Sequence, residues 1–248
     1  TRIAGRIPLP PKYAFGYWWC RYWLYSDHEL VDLAQHFRDF NIPVDVMIID
    51  MDWHETWDLA NGNDVPDASG HTKGWTGYTW KKELFPNPAH LLEELHRYGV
   101  KTSLNLHPAS GVQPFEEPYE RFVSDYLART TDYDGPRGYV GADGEPAHVP
   151  FRIDQMAWAD AYFNSVLRPM EQQGVDFWWL DWQQGLNDKK LPQLSNTFWL
   201  NYYVFTDMAR NRDKRPLLYH RWGGLGNHRY QIGFSGDSYS TWASLEFQ

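Results

Sequence analysis

The stretch "GVDFWWLDWQQG", residues 174–185, decides how the rest of the chain is read. Gly174 closes a helix-like segment, "MAWADAYFNSVLRPMEQQG" (156–174). The apolar run "VDFWWLD" (175–181) then reads as a strand and ends in one carboxylate, Asp181, with Trp179 and Trp182 close by. Burying an unpartnered carboxylate costs several kcal/mol. A chain that ends a strand this way needs a reason for the charge.

The same unit recurs outward in both directions. Strand-like runs are "YAFGYWWC" (13–20), "VDVMIID" (44–50), "KTSLNLHP" (101–108), "RPLLYHRW" (215–222) and "YQIGFSGD" (230–237). Between them lie amphipathic stretches. One starts at Ser26 or Asp27 as N-cap and stops before Pro43. Others cover 88–100, part of 117–130 and 195–211, and a last one begins near 238. Residues 53–86, rich in Gly, Trp and Asp, have no clear period and read as a loop insertion; 109–150 is largely irregular.

Alternating strands and helices argue for an α/β fold with a parallel sheet. Polar residues cluster just after the strands: Asp50, Asp52, His107, Asp181, Arg221 and Asp237. In a closed (β/α)8 TIM barrel all those strand ends meet on one face, which carries the active site. A doubly wound sheet would need a Gly-rich loop after the first strand, and "CRYWLYSD" has none. Six strands are found where a barrel needs eight. The expectation is therefore a single barrel domain over 1–248, incomplete and truncated after its sixth strand, from a longer protein.

Composition narrows the function. A net charge of -9 argues against nucleic-acid binding. No apolar run is long enough to span a membrane, and no signal-peptide pattern is visible, which leaves localisation open. The single cysteine, Cys20, excludes an internal disulfide and a four-thiolate zinc site. Fourteen Trp, sixteen Tyr and thirteen Phe suit either a large aromatic core or a surface that stacks on sugar rings.

Asp181 and Asp237 are the candidate catalytic pair, because two carboxylates across a sugar site are the common machinery of glycosidic cleavage. Either could instead cap a helix. Period-2 geometry puts Asp50 and Asp52 on one side of their strand, where one or both could accept sugar hydroxyls. Asp50, Asp52, His54 and His107 could alternatively hold a metal, although their spacing matches no familiar loop. His107 reads as a hydroxyl donor, a ligand or a core histidine. Arg221 reads as a structural ion pair or as a permanent charge beside the carboxylates. Trp179 reads as pocket wall or barrel core.

Three motifs together resemble glycoside hydrolase family 31. "GVDFWWLDW" resembles the family's nucleophile strand. "HRWGGLGNHRYQIGFSGD" resembles its acid/base segment, with Arg221 sixteen residues before Asp237. "IIDMDWH" resembles its substrate-binding strand end. The three span about 190 of 248 residues. The resemblance implies a (β/α)8 catalytic barrel that performs retaining hydrolysis of a terminal α-linked sugar, with an α-glucoside the first expectation and no cofactor. It implies Asp181 as nucleophile, Asp237 as acid/base, Asp52 and Arg221 as hydroxyl-binding residues, and Trp179 and Phe234 as lining. It implies an oligosaccharide or glycoside as substrate. Its other partners would be the rest of the barrel and flanking β-rich domains; neither nucleic acid nor membrane is expected. A non-catalytic sugar-binding barrel and an α-transglycosylase are the alternatives. The chain departs from the family pattern after the nucleophile, with Trp182, Gln183 and Gln184 where many members have Asn-Glu. The family's later sugar-holding His would lie beyond Gln248.

Overall fold

The computed structural model describes residues 5–55, 74–130, 148–182, 191–221, 224 and 226–247. The middle of the 53–86 insertion, much of the second irregular stretch, Gln183, Gln184 and Trp222 lie outside them. Among the described residues six strands are found: β1 Trp18–Arg21, β2 Val46–Ile49, β3 Lys101–Leu106, β4 Phe177–Leu180, β5 Leu218–His220 and β6 Ile232–Gly233. They pair in sequence order, every pair parallel. Among the described residues β1 and β6 have one neighbour each, so the sheet is an open arc of a (β/α) barrel. No helix among these residues is long and apolar enough to cross a membrane.

Among the described residues the helices between the strands are α1 Asp27–Asp39, α2 Pro88–Arg97, α3 Tyr119–Arg129, α4 Met156–Tyr162, α5 Arg168–Gln173 and α6 Asn196–Met208, and α7 Trp242–Phe247 follows β6. Ser26 is the cap of α1: its hydroxyl accepts Glu29 N–H, and Glu29 accepts Ser26 N–H in return. Leu30, Ala34 and Phe37 form its buried stripe. Asn87 caps α2 through His90 N–H, and Leu91, Leu92 and Leu95 are buried.

Two expected elements are divided. "YAFGYWWC" is not one strand, because a 3-10 turn at Lys12–Phe15 follows Pro11 and only then does β1 begin. The 156–174 helix carries a π-turn at Phe163–Leu167 between α4 and α5. Pro169 has no N–H to give the carbonyl of Ser165, and Arg121 Nη2 donates to that oxygen instead.

The two faces of the sheet bury different sets. Met47, Ile49, Leu104, Leu106, Trp178, Leu180 and Leu218 pack with the helices. Val46, Ile48, Phe177, Trp179 and Leu217 form a second cluster with Tyr13, Trp18, Tyr219, Ile232 and Phe234 inside the arc. The register fixes this inner face across the sheet: Asn105, Trp179, Tyr219 and Ile232 lie side by side. Residues two further along each strand therefore share that face. They are His107, Asp181, Arg221 and Phe234, and Tyr22 and Asp50 continue the same face two residues beyond Cys20 and Ile48, level with Asn105.

Candidate active site

The ladder carries on past the assigned strands and sets these side chains. Asp181 N–H donates to Leu106 O (3.0 Å), Arg221 N–H to Leu180 O (3.0 Å) and Phe234 N–H to His220 O (2.7 Å). A cavity of about 180 Å3 opens at this end, bounded by Tyr22, Asp50 and Met51 on one side and Trp75 and His107 on another. Trp179, Asp181, Trp182, Arg221 and Asp237 complete it. A larger cavity of about 590 Å3 lies at the opposite, N-terminal end of the strands and contains none of the candidate residues.

Asp181 is buried but not alone, which resolves the problem its position poses. Its Oδ1 accepts Trp182 N–H (2.9 Å) and Arg221 Nε. Its Oδ2 accepts Asn105 Nδ2 (2.9 Å) and faces His107 Nε2 at 3.5 Å. Donors on both oxygens offset the desolvation of the carboxylate. Arg221 is itself wedged between the rings of Trp182 and Phe234, 4.5 and 4.3 Å from their centroids. Its Nη2 reaches Asp237 Oδ2 at 3.3 Å. One guanidinium thus joins both candidate carboxylates, Asp181 buried and Asp237 exposed.

The remaining candidates divide. Trp179 is both lining and core: its ring meets Phe234 edge-on at 4.9 Å. Phe234 supports that ring and Arg221 from behind and does not line the cavity. His107 lines it, and burial pushes its imidazole down to about 4 against the opposing pull of Asp181. It is therefore neutral near pH 7.

Asp50 and Asp52 are not on one strand face. β2 ends at Ile49, and Asp50 caps a 3-10 turn at Met51–Trp53 through Met51 N–H. Period 2 stops there, so Asp50 lines the cavity while Asp52 lies in the turn outside its lining. Burial pushes the Asp50 carboxyl up to about 6, helped by Asp181, Asp52 and Asp237. Burial raises that of Asp52 also. His54 is buried, with Nδ1 turned to Glu55 O. Among the described residues no three His, Cys, Asp or Glu side chains are grouped as metal ligands, so the Asp50, Asp52, His54, His107 cluster does not form as a metal site.

Sequence reading did not single out Tyr22, Met51 or Trp75 as lining. Tyr22 could have been found by counting two residues on from Cys20, the inward-facing position of β1 level with Ile48. Trp75 comes from the insertion, where no periodicity points to it.

Residues 7–248 match the model of the glycosyl hydrolases family 31 TIM-barrel domain. The chain belongs to glycoside hydrolase family 31. An α-xylosidase of Saccharolobus solfataricus is 24% identical to it over 266 aligned positions, covering all of this chain and 32% of that protein. An α-glucosidase of Bacillus thermoamyloliquefaciens is 24% identical, over 99% of this chain and 31% of the relative. A family 31 α-xylosidase from a soil metagenome, solved with xylose, superimposes with a TM-score of 0.65 at 16% identity, over 98% of this chain and 35% of that one. The chain therefore spans about a third of the length of its curated family 31 relatives.

Proposed function

We propose that this family 31 barrel is the catalytic part of a retaining α-glycosidase that removes a terminal sugar, with an α-glucoside as the first candidate substrate. The observation that carries the reading is the Arg221 guanidinium held between Asp181 and Asp237 at the C-terminal mouth of the sheet. The cavity is small beside the ~300–1,000 Å3 of common ligand pockets, which suits one sugar ring.

In this mechanism an Asp181 carboxylate oxygen attacks C1 while the Asp237 carboxyl protonates the departing glycosidic oxygen. The sugar–oxygen bond breaks and a glycosyl ester on Asp181 forms. Asp237 then takes a proton from water, whose oxygen attacks C1 and releases Asp181. Arg221 offsets the charge of Asp181 and positions both carboxylates. Asp50 and the His107 N–H supply an acceptor and a donor for sugar hydroxyls, and Trp179 gives an apolar wall. An acceptor sugar in place of water would make the same site a transglycosylase.

The second reading is an α-xylosidase, favoured by the similarity to the Saccharolobus enzyme. The test is turnover of aryl α-glucoside and aryl α-xyloside by the intact protein, with the anomer first released followed by NMR. Release of the α-anomer supports the proposal. Release of the β-anomer, or sugar binding with no turnover in the unmodified protein, overturns it.

A further inference from the structure

The cavity has two unlike sides, defined by the two oxygens of Asp181. On the Oδ1 side lie Arg221, Trp182 and Asp237. On the Oδ2 side lie Asn105 and His107, and the Trp75 ring meets His107 edge-on at 5.1 Å. In the reading above Asp237 protonates the leaving oxygen, so its side receives the leaving group. The Trp75 side then faces the sugar that is being released.

Trp75 does not sit on a strand. It is delivered by residues 74–80 at the end of the insertion, and these residues are clamped on three sides. The Thr76 hydroxyl, fully buried, donates to His107 O and accepts Ser110 N–H (3.1 Å). Glu116 Oε2 accepts Tyr78 N–H (3.0 Å) and the Thr79 hydroxyl (2.5 Å). Gly77 passes so close to the His54 ring that a Cβ there would lie 2.1 Å from Nδ1. His54 bridges Trp80 in turn. This is a large hydrogen-bonding investment for a segment whose one contribution to the cavity is an indole.

We propose that Trp75 is a specificity-determining residue, the wall that closes the released-sugar side so that one ring fits, and that Thr76 is the positioning residue that holds it against His107. The proposal rests on the α-glycosidase reading. A closed wall behind the reacting ring admits only chain ends. An open one admits a second sugar unit, so the wall controls the size of the product.

The experiment compares the intact unmodified protein with Trp75→Ala, Thr76→Val and Thr76→Ser on nitrophenyl α-glucoside and nitrophenyl α-maltoside, with products separated by chromatography. The unmodified protein is expected to release glucose, and nitrophenol from the maltoside only after a lag. Trp75→Ala is expected to release maltose with nitrophenol directly, and to raise KM for the glucoside about tenfold with kcat changed less. Thr76→Val should shift products the same way, and Thr76→Ser should restore the original pattern. Unchanged product size in Trp75→Ala overturns the proposal, as does a Thr76→Val variant that loses kcat and thermal stability without any change of product. Turnover by the unmodified protein, and its loss in Asp181→Asn, reports on the α-glycosidase reading separately. If that turnover is absent, calorimetric binding of glucose and xylose decides: weaker binding in Trp75→Ala supports the wall, and equal or no binding overturns it.

Discussion

Arg221 and Asp181 come from adjacent strands, and the guanidinium Nε of one donates to Oδ1 of the other at the end of the sheet. Both side chains are buried. Removing the cation leaves a buried carboxylate short of its strongest partner. Arg221→Ala is expected to destabilise the protein by about 3–5 kcal/mol, measured by chemical denaturation. Arg221→Lys keeps the charge but loses the fork that reaches Asp181 and Asp237 together. It should fold better than the alanine variant and still lose most turnover. Near-normal activity in Arg221→Lys would remove the shared guanidinium from the mechanism.

The two carboxylates should fail differently. Asp181→Asn replaces the attacking carboxylate with an amide that is a poor nucleophile, so activity should fall for every substrate. Asp237→Asn removes the proton donor, a loss of about 10²–10⁴-fold. That loss should shrink for an aryl glycoside whose leaving group needs little protonation. Equal losses on aryl and alkyl glycosides in both variants would contradict the assigned roles.

Buried groups give stability a pH dependence of known sign. The folded His107 titrates near 4, whereas an unfolded imidazole titrates near 6.5. Between those values the unfolded state binds the extra proton, so this group makes stability rise with pH and costs stability as pH falls below about 6.5. Denaturation of His107→Gln should show a slope shallower by about 1.4 kcal/mol per pH unit in that window. Asp50, pushed up to about 6, has the opposite sign: the folded state holds the proton between about 4 and 6. Asp50→Asn should therefore steepen the rise there.

Asp50 should also appear in catalysis. It faces the cavity with Asp181 and Asp237, and Asp52 stands nearby. If its carboxylate accepts a sugar hydroxyl, kcat/KM should fall as pH drops through about 6, and that inflection should vanish in Asp50→Asn. Asp52→Asn should leave it in place. A profile that follows Asp52 instead would return the role to the residue the sequence favoured.

Gly111 offers a test of the loop that follows β3. Its φ is +69°, and a Cβ would lie 1.8 Å from Val149 O. Both the left-handed backbone and the backbone contact oppose any side chain. Gly111→Ala should lower stability by more than ~2 kcal/mol, through separation of the Val112–Val149 bridge. A melting temperature unchanged from the parent would show that the loop yields cheaply.

The order of elements, the parallel sheet and the placement of polar residues after strands were legible because they depend on local pattern. Apolar runs of four to eight residues bury on both faces, and the caps at Ser26 and Asn87 are local hydrogen bonds. Elsewhere longer-range partners decide. The π-turn depends on Pro169 meeting Arg121 from another helix. The choice of Asp50 over Asp52 depends on where β2 stops pairing with β3, at Ile49.

By itself the sequence determined that Asp181, Arg221, His107 and Asp237 would follow strands, since period 2 and the apolar runs specify those ends. Only the tertiary structure decided that one guanidinium touches both carboxylates and that Trp75 joins them. Those contacts cross 40, 16 and about 30 residues of chain respectively. The curvature and register of the whole sheet bring such groups together, and no local interaction in the chain encodes that distance.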